Sequence, residues 1–470
     1  METPVLDTLI KLMKEDRISF HTPGHKGKDT LIEWGRYIPH IDTTELEGTD
    51  NLLEPTGIIK KSQEMAAQVF GSKATYYGVN GSTGSIYIAM STITNPGDKV
   101  LVERNCHKSV YNSLILNRLE PVYVYPNYNK KYNLFTGIRP KDIEEALKDH
   151  PDIKAVIITY PNYYGICSDI EAIEKIVHRH GKILMVDEAH GSHLNFSNKL
   201  PISSLKVGAD IVIHSTHKTL PSFTQTSMLH VGSDRIDLDK LRDRFNLYTT
   251  TSPSYLFILS NEIAIAYMMD KGREDLDRNI REIDRTIELM NNMARVHVFT
   301  GDSEDNTIAD IDRAKLLFRV HGITGTRLNR ILSNDYGIDL EMADYYYGLA
   351  LTSVMNTKED YRELVNAIED ISQRIKEERI RELNIDLLRP DVCKNIYEAY
   401  YAEREIIDIK DSIGRISSGF IIPYPPGIPL IVPGERITLR IYDYIQYALE
   451  NKLEILGLIG YNKDQIGVIK

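Results

Sequence analysis

The chain has 470 residues, enough for two or three folding units with large cores. Apolar residues make up 42% and charged residues 26%, a composition that excludes wholesale disorder. With 56 Lys+Arg against 67 Asp+Glu the net charge is −11, which argues against nucleic acid or an anionic membrane as the main partner and favours a cationic ligand. Cys106, Cys167 and Cys393 are too scattered for a disulfide framework or a CxxC metal site, and a reducing cytoplasm is expected.

Met1 to Phe20 is interrupted by Asp7, Lys11, Lys14, Glu15, Asp16 and Arg17, unlike a secretory signal. Residues 3–15 carry helical spacing behind Thr3-Pro4 and predict a short leading helix. Residues 20–57, rich in Gly, Pro, Thr and Asp, read as an irregular arm. Gly57 to Phe70 predicts a helix. From Ser72 onward, short apolar runs alternate with amphipathic stretches: Lys99–Val102, Val122–Tyr125, Ile153–Thr159, Lys182–Val186, Ile211–His214 and Met228–Val231. Runs apolar at nearly every position suit strands covered on both faces, so an α/β fold with a mostly parallel sheet is expected, with ligands beyond the carboxyl ends of the strands. A buried helix over 255–269 and charged amphipathic helices over 274–296 and 359–383 follow. The expected organisation is an amino-terminal helix and arm over 1–56, a large domain over 57–300 and a smaller α+β domain over 301–470. The most apolar stretch, 419–434, holds Pro423, Pro425, Pro426, Pro429 and Pro433 and cannot form a spanning helix.

The strand exits carry the polar chemistry. Gly78-Val79-Asn80-Gly81-Ser82-Thr83-Gly84 precedes a helix and offers backbone N–H groups and hydroxyls to an anion; it matches neither GxGxxG nor a phosphate-loop pattern and reads equally as a tight cap. Asp187 ends a hydrocarbon strand, and Lys218 follows another 31 residues on. A lysine of lowered pKa can form an imine with a carbonyl, but a buried Asp–Lys pair can also be purely structural. Pyridoxal phosphate needs a lysine, a carboxylate for its ring nitrogen, a phosphate cup and a flat group to stack on, and the chain offers each.

HTPGHKG at 21–27, GVNGSTGS at 78–85, RNCHKSV at 104–110, VDEAHGSH at 186–193, HSTHKT at 214–219 and PYPPGIPLIVPGE at 423–435 resemble, in order and over nearly the whole chain, the bacterial ornithine/lysine/arginine decarboxylases of the aspartate-aminotransferase fold (pyridoxal-phosphate fold type I), in the short form lacking an amino-terminal wing domain. The resemblance implies decarboxylation of a basic amino acid, arginine to agmatine before lysine or ornithine, in polyamine metabolism. It makes Lys218 the Schiff-base lysine, Asp187 the partner of the pyridine nitrogen and His107 the stacking group. Ser82, Thr83, Ser215 and His217 would hold the phosphate, with Gly84 in the same cofactor-binding turn. His217 would also donate a proton after carbon dioxide leaves, His190 would sit near the ring or the substrate carboxylate, and Glu435 would face the substrate's distal cation. A homodimer or higher even-numbered assembly with shared sites is implied, with residues 20–57 reaching over the neighbour.

Two alternatives stand beside this: another pyridoxal enzyme, such as an aminotransferase using Arg415 or Arg436 for an α-carboxylate, and a catalytically silent regulatory homologue, against which the complete Lys218, Asp187 and His107 set counts. Metal is not expected: His21 and His25 flank Pro23-Gly24 and share no helix face, and Asp187, His190 and His193 fit a cofactor better. Ser82 lacks the GxSxG elbow. Tyr345, Tyr346 and Tyr347 read as core or interface, and Cys106 as a buried bystander.

Overall fold

The computed structural model describes the chain apart from residues 1–7, 9, 12, 13, 16, 29–33, 377–379, 381–388, 425–427, 451 and 452. Most of the helix expected over 3–15, and Pro425, Pro426 and Gly427, lie outside the described residues.

Seven strands form the central sheet: β1 (Ala74–Gly78), β2 (Lys99–Glu103), β3 (Glu120–Val124), β4 (Ala155–Thr159), β5 (Ile183–Asp187), β6 (Ile211–His214) and β7 (Ser227–Val231), in the order β1-β7-β6-β5-β4-β2-β3. Strands β3, β2, β4, β5 and β6 pair in parallel, while β7 is antiparallel to both β6 and β1. All five residues of β4 are buried and the last four of β5, as befits strands with helices on both faces. Because β1 is antiparallel to β7 and β7 to β6, β1 runs with the parallel set. The exits of β1, β2, β4, β5 and β6 therefore share one edge of the sheet.

Six expected strands are present within one or two residues of the positions read from the sequence. The seventh, β1, was not anticipated. Its sequence ATYYG lacks the hydrocarbon run of its neighbours, yet Tyr77 is fully buried with its hydroxyl donating to the Ser62 carbonyl and bonding the Ser62 hydroxyl at 2.8 Å.

Tyr255–Tyr267 is a buried helix, and a π-helical turn at Met268–Gly272 joins it to the amphipathic helix Arg273–Asn291. A four-stranded antiparallel sheet follows, built from Val296–Val298, Lys315–Val320, Met342–Ala343 and Gly348–Leu351. The helix Lys358–Arg374 starts at a Thr357/Asp360 capping box and ends where Ile375 turns extended, short of the limit at 383 that its charge pattern predicts. Among the described residues of 301–470, one apolar core lies on this sheet around Phe318, Leu328 and Ile368 and another is carboxy-terminal around Ile421, Ile437 and Ile445, while Leu317, Met342, Tyr347 and Leu349 join a further cluster with Leu134 and Ile166.

The arm over 20–57 is not wholly irregular, since Trp34–Ile41 is helical. Its beginning is fastened to the second unit: Ile18–Phe20 pairs in parallel with Ile338–Leu340, and the HTPGHKG segment is tied down by Lys26 Nζ donating to the carbonyls of His21 (2.6 Å) and Leu351 (2.9 Å).

Candidate active site

The shared sheet edge gathers nearly every residue that the motifs single out. Asp187 closes β5, and its register neighbour on β6 is Ile213, so the short helix Thr216–Thr219 carrying Lys218 starts directly beside it. Burial pushes the Asp187 carboxyl up from its ordinary value, opposed by Lys218 and by the Ala189 N–H, which donates to Oδ1 at 3.2 Å. Its Oδ2 accepts no hydrogen bond from the described residues. Burial likewise pulls the Lys218 amine down, with Asp187 and then Glu341 acting against it. Lys218 Nζ lies 3.0 Å from His190 Nε2.

Burial and the Lys218 charge hold His190 well below the usual histidine range, so it is neutral; its Nδ1 has no partner among the described residues, and its ring tilts on Tyr163 with centroids 5.4 Å apart. His107 caps the helix Lys108–Leu116, its Nδ1 accepting the Ser109 N–H at 3.2 Å. Burial, with Lys218 and Lys108 adding to it, holds His107 at about 4. His217 is also held at about 4 by burial, and its Nδ1 is 2.8 Å from the Thr226 carbonyl. A carbonyl only accepts, so Nδ1 carries the proton and Nε2 is a bare acceptor at neutral pH. His217 must gain a proton before it gives one up at Nε2, a constraint the sequence does not reveal.

Gly81 opens the 13-residue helix Gly81–Ile93 with φ +62°, and Asn80 makes no side-chain cap, so the N–H groups of Ser82 and Thr83 have no intrahelical acceptor. Ser215 Oγ donates to Ser82 Oγ at 2.7 Å, closing the cup from β6. Gly84 is buried in the first turn beneath it, where an added Cβ would sit 3.0 Å from that of Asn80. Behind this edge, Thr216 Oγ1 donates to Asn261 at 2.6 Å and fixes the short lysine-bearing helix against Tyr255–Tyr267.

Glu435 is the departure. Its carboxylate takes Arg104 Nη2 at 2.9 Å, Arg104 Nε at 3.2 Å and the Val432 N–H at 2.8 Å, with both side chains buried. The expected free carboxylate for a substrate cation is thus already neutralised inside the chain. Arg415 and Arg436 are engaged as well, Arg415 with Glu405 and the Ile469 carbonyl, Arg436 with the Gly414 carbonyl. Cys106 is fully buried and burial raises its thiol, as a bystander requires.

Three groups escaped sequence reasoning. Lys315, held at about 7 by burial, donates to the carbonyls of Asn162 (2.7 Å) and Tyr163 (3.2 Å) and so pins the loop behind β4. Asp312 holds His193 Nε2 at 3.0 Å. Glu341 takes the Thr22 N–H at 2.8 Å, two residues from Gly24, whose N–H donates to the His217 carbonyl at 2.6 Å. Tyr345 and Tyr346, given no role above, line a cavity at this edge.

Residues 3–360 match the family model described as Orn/Lys/Arg decarboxylase, major domain, and residues 387–468 match that of its C-terminal domain. The chain is 31% identical over 480 residues to a protein of Bacillus subtilis named arginine decarboxylase, covering 100% of this chain and 98% of that one. It is 25% identical to a lysine decarboxylase of Pseudomonas aeruginosa, covering 95% of this chain and 76% of the relative. Among solved structures, lysine decarboxylase A from Pseudomonas aeruginosa superposes with a TM-score of 0.79 at 22% identity, covering 98% of this chain and 80% of the other. Pyridoxamine-pyruvate aminotransferase from Mesorhizobium loti superposes with a TM-score of 0.59 at 17% identity over 76% and 92% of the two chains, so the fold is shared beyond the decarboxylases. By sequence over its whole length, the chain belongs to the Orn/Lys/Arg decarboxylase family.

Proposed function

We propose that the protein is a pyridoxal-phosphate-dependent decarboxylase of a basic amino acid, arginine before lysine or ornithine, yielding agmatine for polyamine synthesis. The observation that carries this is the meeting of Lys218 and Asp187 at the exits of neighbouring parallel strands, each shifted by burial and each acting on the other. Full-length likeness to relatives named arginine decarboxylase supports the choice of arginine.

The residues present fit the cofactor. Uncapped N–H groups of Ser82 and Thr83 and the Ser215 hydroxyl suit a phosphate, the open Oδ2 of Asp187 suits a protonated ring nitrogen, and neutral His107 offers a flat face. When bound, pyridoxal phosphate supplies a carbonyl for a primary amine and an electron-withdrawing ring for the bond to carbon dioxide.

The chain's own groups do the rest. Lys218, its amine pKa lowered by burial, is the nucleophile and gives way to the substrate's amino group. His190, 3.0 Å from it and neutral, accepts a hydrogen bond from Nζ and orients it. Asp187 would hold the ring nitrogen through its open Oδ2 and keep it protonated. His217, once protonated at Nε2, returns a proton to the substrate carbon. Engagement of Arg415 and Arg436 elsewhere favours decarboxylation over transamination, which needs a lasting clamp on the α-carboxylate. The charge balance and scattered cysteines support a cytoplasmic setting; no helix among the described residues is long and apolar enough to cross a membrane. The assembly is a homodimer or a higher even-numbered oligomer; of the arm over 20–57, the start is docked on its own chain and the largely exposed stretch 35–48 reaches over the neighbour, and light scattering on the purified protein tests the assembly.

The deciding experiment incubates the reconstituted protein with arginine, lysine and ornithine in turn and measures carbon dioxide and the amine formed. Agmatine from arginine is expected. Absence of amine from all three, or a keto acid in its place, overturns the proposal.

A further inference from the structure

The family's PGE glutamate is spent on Arg104 within this chain, so a cationic side chain needs another carboxylate. A cavity of about 400 Å3 lies beside the active-site edge, walled by Tyr125, Tyr128, Tyr164, Tyr345, Tyr346 and Tyr444. Two features place it at the same sheet edge as the lysine. Arg104 and Asn105, which line it, immediately precede His107. Glu341, also in its lining, holds the Thr22 N–H, and the same turn delivers the Gly24 N–H to the His217 carbonyl.

Of the carboxylates that reach this cavity, all but one are excluded as the anion for a buried cation. Asp344 accepts the Tyr164 hydroxyl and the N–H groups of Tyr346 and Tyr347, all at 2.7 Å. Glu454 is exposed to solvent, where an ion pair gains little. Glu341 is half-buried and commits only Oε2; its Oε1 accepts no hydrogen bond from the described residues. Tyrosine faces attract a cation electrostatically and cover an aliphatic stem, and a planar guanidinium both stacks on such rings and donates to a carboxylate.

Building on the function proposed above, we infer that this cavity receives the side chain of the basic substrate and that Glu341 Oε1 accepts from its distal cation, making Glu341 a specificity-determining residue. The α-amino end lies at Lys218 and the distal end between the tyrosines. The cavity recognises a linear chain ending in a guanidinium or ammonium group.

The test compares wild type and Glu341→Gln as holoenzymes, with arginine as substrate and agmatine or its neutral isostere N-carbamoylputrescine as competitor. Gln keeps an oxygen for the Thr22 N–H. Loss of one charge-assisted hydrogen bond is expected to raise the arginine KM and the agmatine inhibition constant about 10- to 100-fold, leaving the N-carbamoylputrescine constant and the cofactor absorbance unchanged. Unaltered discrimination between the two competitors overturns the inference. Tyr346→Leu reports independently from the far wall: an arginine KM raised about 3- to 10-fold is expected, and an unchanged value counts against the cavity even if the Gln variant does not fold. A wild type that decarboxylates arginine while these variants keep its KM refutes the subsite alone. A wild type inactive on all basic amino acids refutes the parent reading.

Discussion

Ser215 Oγ donates to Ser82 Oγ at 2.7 Å, so two hydroxyls 133 residues apart in sequence meet over the uncapped amino end of one helix. In the function proposed above, each hydroxyl would supply half of a phosphate cup that neither segment makes alone. Ser215→Ala is expected to weaken pyridoxal phosphate binding roughly tenfold, the value of a hydrogen bond to a charged group, while turnover at saturating cofactor is largely kept. Cofactor titration followed by fluorescence checks this, and an unchanged affinity removes Ser215 from the cup.

Lys218→Ala removes the nucleophile while leaving Asp187, His107 and the cup in place. The visible absorbance of the reconstituted protein should disappear, and activity should fall by roughly 10⁴-fold or more, the scale on which losing a covalent catalyst acts. Retained turnover would assign the chemistry to another amine.

The Arg104–Glu435 pair is buried on both sides and supplemented by the carbonyls of Pro429 and Leu430. Glu435→Gln strands a guanidinium charge in the interior and is expected to cost about 3–5 kcal/mol of stability. A double replacement of both residues by apolar side chains should recover part of that loss. Chemical denaturation measures both. If the single variant is as stable as wild type, the pair is not closed in solution and Glu435 is free for a ligand.

Burial holds Lys26 at about 7, against an ordinary 10.5. Between those values the unfolded chain binds more protons than the folded one, so this residue makes the fold gain stability as pH rises from 7 towards 10.5, by at most about 1.4 kcal/mol per unit, and its contribution is least below 7. Lys26→Met abolishes that slope. The urea midpoint of the variant, relative to wild type, should therefore decline steadily between pH 7 and 10, and a constant difference would show that the ammonium is not buried.

The sheet was legible because parallel strands buried on both faces need hydrocarbon at nearly every position, and Ala155–Thr159 and Ile183–Asp187 display it openly. The polar residues after those strands gave candidates with open readings, and only the resemblance to a family chose among them. Strand β1 was hidden because Thr75 and Tyr77 are buried polar groups satisfied by His230 and Ser62, partners that its own segment does not announce. The pairing of Glu435 was hidden for a related reason. A motif gives a residue's neighbours in sequence, while its charge is cancelled by Arg104, 331 positions earlier. Glu341 was invisible for the converse reason: it reaches the site only through the pairing of Ile18–Phe20 with Ile338–Leu340 and the turn that follows.

The fastening of the HTPGHKG segment bears on how the chain is made. Gly24 lies so close to the Leu220 carbonyl that a Cβ there would sit 2.4 Å from its oxygen, and its own carbonyl accepts from Ser353 at 2.5 Å, across 329 residues. During synthesis on the ribosome this first segment must therefore wait for most of the polypeptide to emerge before it can dock. The seven-stranded unit can assemble earlier, but the His217 carbonyl, next to Lys218, acquires the Gly24 N–H only when the HTPGHKG segment docks, a docking that Ser353 fastens. A nascent chain stopped before residue 353 would carry Lys218 and Asp187 without the Ser353 contact that fastens this segment.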